Sequence, residues 1–204
     1  MSKSERFVER LYWEVWNSPF GKVTICCSER GVRRLALGSL PRMRANKHDL
    51  RGGEIQWIRA GSRKQQGAKL ARRAIAELRE YAAGRRRQFT VPVDLQGTPF
   101  QLKVWNALLG IPIGETRSYK QIACQIGNPL ASRAVGTANH WNPVAILVPC
   151  HRVISSNGSM GGYAGGLKKK SQMLRLEKAL AGSGVSIHGC SPKSERKRQT
   201  DQEG

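Results

Sequence analysis

Two short segments, Thr98-Pro99-Phe100-Gln101 and Ser118-Tyr119-Lys120-Gln121, constrain this chain more than any other feature. Each sets a hydroxyl residue three positions ahead of a glutamine. In that arrangement the hydroxyl caps the N3 amide and the glutamine returns a bond to the cap residue's own amide, so a helix start is pinned. Pro99 suits the first helical position, where no amide donor is needed. Phe100, Val104 and Leu108 recur every four residues until Gly110, which predicts a helix over 99–109. The second box opens a helix that ends at Gly127, and Asn128-Pro129 starts the next one at once, carrying Ala131, Arg133, Ala134 and Val135. Two short helices joined by a tight glycine-containing turn form a helix-turn-helix signature. A last helix is expected from about Leu167 to Ala181, with Met173, Leu176 and Leu180 as its core stripe.

Between these helices lies the run Val144-Ala145-Ile146-Leu147-Val148-Pro149-Cys150-His151-Arg152-Val153-Ile154. Its five leading apolar residues read as a short buried strand, and Pro149 stops the ladder because it has no N–H to donate. Cys150 is thereby placed where a strand breaks. A buried cysteine is most often a small hydrophobe. This one has an imidazole and a guanidinium beside it. A thiol of pKa about 8.5 is mostly protonated at neutral pH, so a nucleophilic cysteine needs a base or a positive field, and His151 with Arg152 offers both. Ser155-Ser156-Asn157-Gly158 and Gly161-Gly162-Tyr163-Ala164-Gly165-Gly166 follow. They make a glycine-rich wall whose backbone can approach a flat ligand closely.

The first half reads differently. Residues 1–17 mix charge with Phe7, Tyr12, Trp13 and Trp16, compatible with either a short helix or a first strand. A turn at 18–21, a strand from Lys22 to Cys27, a polar turn at 28–31 and a strand from Val32 to Leu37 make a hairpin. Residues 38–53 are polar, basic and aperiodic, hence a loop, and 54–58 can return as a strand. From Ala68 to Ala83, Leu70, Ala74, Leu78 and Ala82 recur at four-residue spacing with Gly84 as a stop, an amphipathic helix. Arg85-Arg86-Arg87 is read as a solvated face. The expected organisation is a small α+β N-terminal domain over 1–93, a linker at 94–97, a mostly helical C-terminal domain over 98–181 containing the helix-turn-helix, and a basic, disordered tail over 182–204. The N-terminal part carries no visible chemistry.

Lys and Arg total 35 against 14 Asp and Glu, a net charge of +21, for which a polyanion is the simplest partner. Between Phe100 and Leu180 the acids are Glu115 and Glu177, facing ten Lys or Arg, so a phosphate backbone would meet almost no repulsion. The sequence has no long apolar run, lipidation signal or leader pattern; a membrane partner is not expected, and an intracellular protein is, cytoplasmic and nucleoid-associated or nuclear according to its source. Cys26, Cys27, Cys124, Cys150 and Cys190 are odd in number and scattered, so no disulfide framework is expected. Without a C-x-x-C or a histidine cluster, no metal is expected either.

Pro-Cys-His-Arg-Val at 149–153, with Asn142-Pro143 upstream and Gly-Tyr-Ala-Gly-Gly downstream, resembles the O6-alkylguanine-DNA alkyltransferases, the methylated-DNA-protein-cysteine methyltransferase family. The resemblance runs almost without gaps from about Thr98 to Glu177 and more loosely back to Ser18. It implies that the second helix of the motif enters the minor groove, where the general rule for such motifs predicts the major groove, and that Arg133 takes the place of a flipped nucleotide. Ala134 and Gly136 are small, which lets the helix backbone approach a narrow groove. The resemblance makes Tyr119 the residue that helps rotate the phosphate and donates to the purine. Lys120, Asn128 and Ser156 become phosphate contacts, Asn128 doubling as a helix cap. Val153, Tyr163, Ala164 and Gly165 would line the base pocket, Ala164 lacking a hydroxyl that some relatives carry. It implies further that Cys150 gives its proton through a water to His151, that Glu177 orients His151, and that Asn142 braces the two helices against the active-site turn. Some members hold zinc in the N-terminal part, for which this chain shows no convincing ligand set.

The reaction so implied is displacement at the alkyl carbon of O6-alkylguanine, with O4-alkylthymine as a lesser substrate, in double-stranded DNA whose damaged nucleotide has been extruded. A thioether does not leave again, so each molecule acts once, as a monomer and without a cofactor. Two rivals stand beside it. A damage-sensing DNA-binding module would not need Cys150, and a Cys-His-Glu hydrolase leaves the helix-turn-helix and the charge unexplained.

Overall fold

A computed structural model describes residues 8–38 and 54–181; the C-terminal tail, nearly all of the polar loop, Phe7 and Cys190 lie outside the described residues. Strands β1 (Val8–Ser18), β2 (Gly21–Cys27), β3 (Val32–Leu37) and β4 (Glu54–Arg59) form one sheet in the order β3-β2-β1-β4. From Val8 onward the open choice for the first residues is thus decided as a strand. Leu11, Trp13 and Val15 alternate with Tyr12 and Trp16, so large apolar groups fall on both faces of β1, as suits a central strand. β1 runs antiparallel to β2 and parallel to β4, with Leu11 opposite Trp57.

Helix α1 (Gln66–Ala82) lies across this sheet and buries Leu70, Ala74 and Leu78, joined by Ala71, Ile75 and Tyr81. It begins two residues before the apolar pattern does. A side chain at Gly67 would stand 2.3 Å from the Tyr12 ring, so only glycine lets the helix start press onto β1. The segment expected as a linker is bound down. Its first residue, Asp94, accepts from Ser28 Oγ at 2.5 Å and pairs with Arg33 at 3.0 Å, next to Val93, which bridges to Val32.

The remaining edge of β3 is closed by the other half of the chain. Leu35 N donates to Pro143 O at 2.8 Å and Ala145 N to Leu35 O at 3.1 Å. The α+β N-terminal domain therefore abuts the segment that leads to Cys150. In the helical C-terminal domain, α2 (Pro99–Leu109) and α3 (Tyr119–Gln125) each carry both bonds of their capping boxes. Trp105 Nε1 donates to Ala138 O at 2.9 Å, tying α2 to α4 (Ser132–His140). Helix α5 (Leu167–Ala181) buries Met173 fully and Leu176 in part. Short strands β5 (Arg117–Ser118) and β6 (Val153–Ile154) pair in parallel. Among the described residues no helix is long and apolar enough to cross a membrane.

Helix α4 starts later than expected. Its N-cap is Ala131, and Asn128 is not a cap. The Asn128 amide instead donates to Ala123 O at 2.9 Å, closing α3 through Gly127 at φ +79°. A turn over 128–131, in which Ala131 N donates to Asn128 O at 3.0 Å, separates the two helices and moves the start of α4 to Ser132.

Candidate active site

The apolar run before Cys150 is buried, but it is no strand. Ile146 adopts φ +73°, and Val148 N donates to Val144 O at 2.9 Å, so the run folds back on itself. Asn142 makes that turn possible. Its Oδ1 accepts from Val144 N at 3.0 Å and its Nδ2 donates to Val148 O at 2.8 Å, supplying from one side chain the bonds a ladder would give. The same Nδ2 reaches Cys150 Sγ at 3.0 Å. Asn142 therefore braces the active-site turn and its thiol directly, where a bridge to the two helices was expected.

Cys150, His151 and Arg152 form a single 3₁₀ turn beyond Pro149. Behind it stands Glu177 of α5, wholly buried. Its Oε1 accepts from Tyr81 Oη at 2.8 Å, lies 2.8 Å from His151 Nε2, and accepts from Arg152 Nη2 at 2.9 Å, while Oε2 accepts from Arg152 Nε at 2.8 Å. Burial alone would raise the carboxyl, but His151 and Arg152 outweigh it and hold its pKa down at about 2. An ionised carboxylate can only accept, so Nε2 carries the imidazole proton and Nδ1 a lone pair. Nδ1 makes no hydrogen bond among the described residues. Burial pushes the His151 pKa down despite Glu177, so the ring is neutral at pH 7. Burial also pushes the Cys150 thiol up, against the Asn142 bond and the Lys170 charge, which leaves it protonated at rest. Arg152 spends its donors on Glu177 and on Ile111 O at 2.5 Å.

Cys150 opens onto a cleft of about 1460 Å³ between the helix-turn-helix, β3 and the glycine-rich wall. Tyr119, Lys120, Arg133, Gly136, Asn142, Ser156, Tyr163, Ala164 and Gly165 line it with the cysteine. Arg133 is exposed at its mouth. Gly161, at φ +58°, lets the wall lie against Tyr119: a Cβ there would stand 2.9 Å from the phenol oxygen. A Cβ at Gly165 would crowd both Tyr163 and Leu37, within 2.8 Å. His151 and Glu177 lie behind the cysteine. Val153, expected on the pocket surface, is fully buried, because it turns inward as β6 pairs with β5. Asn128 and Ala134 are exposed outside the cleft.

Residues 99–179 match the profile described as 6-O-methylguanine DNA methyltransferase, DNA binding domain, and residues 11–95 that of its ribonuclease-like domain. A methylated-DNA–protein-cysteine methyltransferase of Methanosarcina acetivorans is 41% identical over 169 residues, 82% of this chain and 98% of that one. One from Mycobacterium tuberculosis H37Rv is 54% identical over 114 residues, covering 56% and 69%. The chain belongs to this family. A crystal structure of the M. tuberculosis OGT in complex with DNA superposes with a TM-score of 0.68 and 39% identity, covering 83% of this chain and 94% of the other. The ribonuclease-like α+β domain and the helical DNA-binding domain of the methylated-DNA–protein-cysteine methyltransferases are thus the two halves described above.

Two buried groups of this family member escaped the sequence reading. Tyr81 comes from the domain that seemed without chemistry, yet its hydroxyl is bonded to the carboxylate that holds His151. Lys170 is fully buried and donates from Nζ to Val153 O at 2.6 Å and to Met160 O. The tyrosine has no signal in sequence, being one more apolar-face residue of α1. The lysine interrupts the polar spacing of Lys168-Lys169-Lys170 only in register with Met173 and Glu177, both buried on the same helix face.

Proposed function

We propose that the chain repairs DNA by direct reversal, moving the alkyl group from O6 of guanine, and less readily from O4 of thymine, onto Cys150 Sγ. The observation that carries this reading is a thiol on the wall of a cleft beside a helix-turn-helix, backed by a neutral imidazole with a free lone pair and an ionised carboxylate. Duplex DNA docks on the basic helical face through Lys120, Asn128 and Ser156. Ala134 and Gly136 admit the helix to the minor groove, and Arg133, whose guanidinium has no partner among the described residues, fills the space of the extruded nucleotide. The base enters between Tyr119 and the wall formed by Tyr163, Ala164 and Gly165.

The thiol proton passes through a water to His151 Nδ1, and Glu177 offsets the imidazolium that results. Sγ then attacks the alkyl carbon as its bond to O6 breaks. Burial, and then the neighbouring Cys150, raise the Tyr119 pKa, so its phenol stays protonated and donates to the purine as charge develops there. Overall the thiol proton ends on the guanine, and a thioether remains. The thioether is not a leaving group, so each molecule turns over once and needs no cofactor.

The test is an oligonucleotide duplex bearing labelled O6-methylguanine. One label per protein, abolished in Cys150→Ser with DNA binding kept, supports the transfer. Label that stays on tightly bound DNA overturns it in favour of a sensor.

A further inference from the structure

Polar side-chain atoms sealed inside a protein are nearly always hydrogen-bonded, so each exception asks for a reason. Among the described residues the exceptions are Asn139 Nδ2 and Oδ1, His151 Nδ1 and Tyr163 Oη. They are not scattered through the fold. Asn139 and Tyr163 both line the cleft, and His151 stands behind its cysteine. His151 Nδ1 already has a task, as acceptor of the thiol proton. Asn139 has none, and its penalty is the largest of the three, because a carboxamide leaves donor and acceptor unpaired at once.

Asn139 lies near the end of α4, one turn beyond Gly136, which also lines the cleft, and is only 9% exposed. Its backbone oxygen accepts from Asn142 N at 3.2 Å, which couples it to the residue that holds Cys150 Sγ. The amide itself is closed to solvent. No hydrogen bond fixes it there, so turning it toward an entering base breaks none. Asn142, the other carboxamide of the cleft, is fully engaged, its Oδ1 with Val144 N and its Nδ2 with Val148 O and the thiol. Among the described residues no carboxylate lines the cleft.

We propose that Asn139 reads the edge of the extruded base and makes guanine, rather than thymine, the preferred substrate. This rests on the reading of the cleft as the seat of an extruded O6-alkylguanine. Alkylation at O6 removes the N1 proton, so that base offers its exocyclic N2–H donor between two ring acceptors, N1 and N3. A carboxamide meets such a pair with its oxygen on N2–H and its own N–H on a ring nitrogen, and both orphaned atoms are satisfied. O4-alkylthymine offers only acceptors on the matching edge, O2 and an N3 stripped of its proton. Nδ2 then finds a partner and Oδ1 does not. A site that hydrogen-bonds a substrate N–H rejects the analogue lacking it, because its own buried acceptor is left bare.

Wild type, Asn139→Leu and Asn139→Ala are compared for single-turnover transfer from duplexes carrying O6-methylguanine or O4-methylthymine in one sequence. Leucine keeps the branched outline of asparagine without its polar atoms. In either variant the guanine rate is expected to fall about tenfold while the thymine rate holds, so the preference for guanine drops about tenfold. A folded variant with the wild-type ratio overturns the proposal. So does one in which both rates fall together, the mark of a merely structural role. Should leucine fail to fold, alanine is read by the same ratio. Affinity for the same two duplexes is measured in parallel with Cys150→Ser, alone and combined with each Asn139 variant. If wild type takes label from neither duplex, the functional reading fails and the affinity ratio still judges Asn139: a preference for the guanine lesion that drops about tenfold supports it, and an unchanged preference overturns it.

Discussion

Replacing Glu177 by glutamine removes the charge at the centre of the relay and turns one of its two oxygens into a donor. Four hydrogen bonds converge on that carboxylate, from Tyr81, His151 and two nitrogens of Arg152. Glutamine leaves the Arg152 guanidinium buried and unpaired, and breaking one side of a buried pair costs about 3–5 kcal/mol. Linkage gives a similar size by another route. The carboxyl pKa falls from 4.5 to about 2 on folding, which corresponds to about 3 kcal/mol of stability at neutral pH. A depressed carboxyl pKa contributes fully above the unfolded value and is lost as pH falls through the folded one, so this contribution disappears between about pH 5 and pH 2. Urea unfolding of both proteins across pH 7 to 2 is the assay. The variant should be about 3 kcal/mol less stable at pH 7, melting roughly 6–12 °C lower, and the deficit should close below about pH 4. Above that window both proteins lose stability as pH drops through about 6.5, because the unfolded histidine takes up a proton that buried His151 resists. A deficit under about 0.5 kcal/mol at pH 7, or one that persists unchanged to pH 3, would refute the reasoning.

Arg133→Ala should leave stability within about 0.5 kcal/mol, since the side chain is exposed, and should slow transfer from duplex DNA far more than transfer from the free O6-alkylated base, measured by single-turnover kinetics. Tyr81→Phe keeps the ring tilted against Phe89, with centroids 5.4 Å apart, but removes one donor from Glu177, for a loss of about 1 kcal/mol by thermal or urea unfolding. Asn142→Ala frees Val144 N, Val148 O and the thiol at once, destabilising by about 1–3 kcal/mol, and its iodoacetamide profile should move to higher pH because the lost bond favoured the thiolate. Gly114→Ala should destabilise by more than 1 kcal/mol in the same unfolding assay, roughly the cost of a strained backbone alone, since φ is +82° and the new Cβ would lie 2.2 Å from that of Ala181.

Local chemistry made much of this protein legible in one dimension. Thr98 and Ser118 with their glutamines announce α2 and α3 because a cap is satisfied within four residues, whatever surrounds it. Apolar spacing of three and four residues did the same for α1 and α5. The run 144–148 misled because burial and strand character look identical in a short apolar stretch, and only the Asn142 side chain, bonding Val144 and Val148, reveals a turn there. Asn128 misled because the turn over 128–131, closed by Ala131 N donating to Asn128 O, has no local mark that tells it from the first turn of α4.

What the residue order determined by itself was the starts of α2 and α3, the hairpin, the basic balance and the Cys-His pair. Tertiary packing alone decided that β4 returns parallel beside β1, that the edge of β3 receives the segment before Cys150, and that Tyr81 meets Glu177 across 96 residues. It also turned Arg152 toward a carboxylate and buried Lys170 beside the cleft. Caps and periodicity are energies spent between neighbours in the chain, whereas the charge on a sulfur depends on burial and on side chains such as Asn142 that reach it only once the chain has folded.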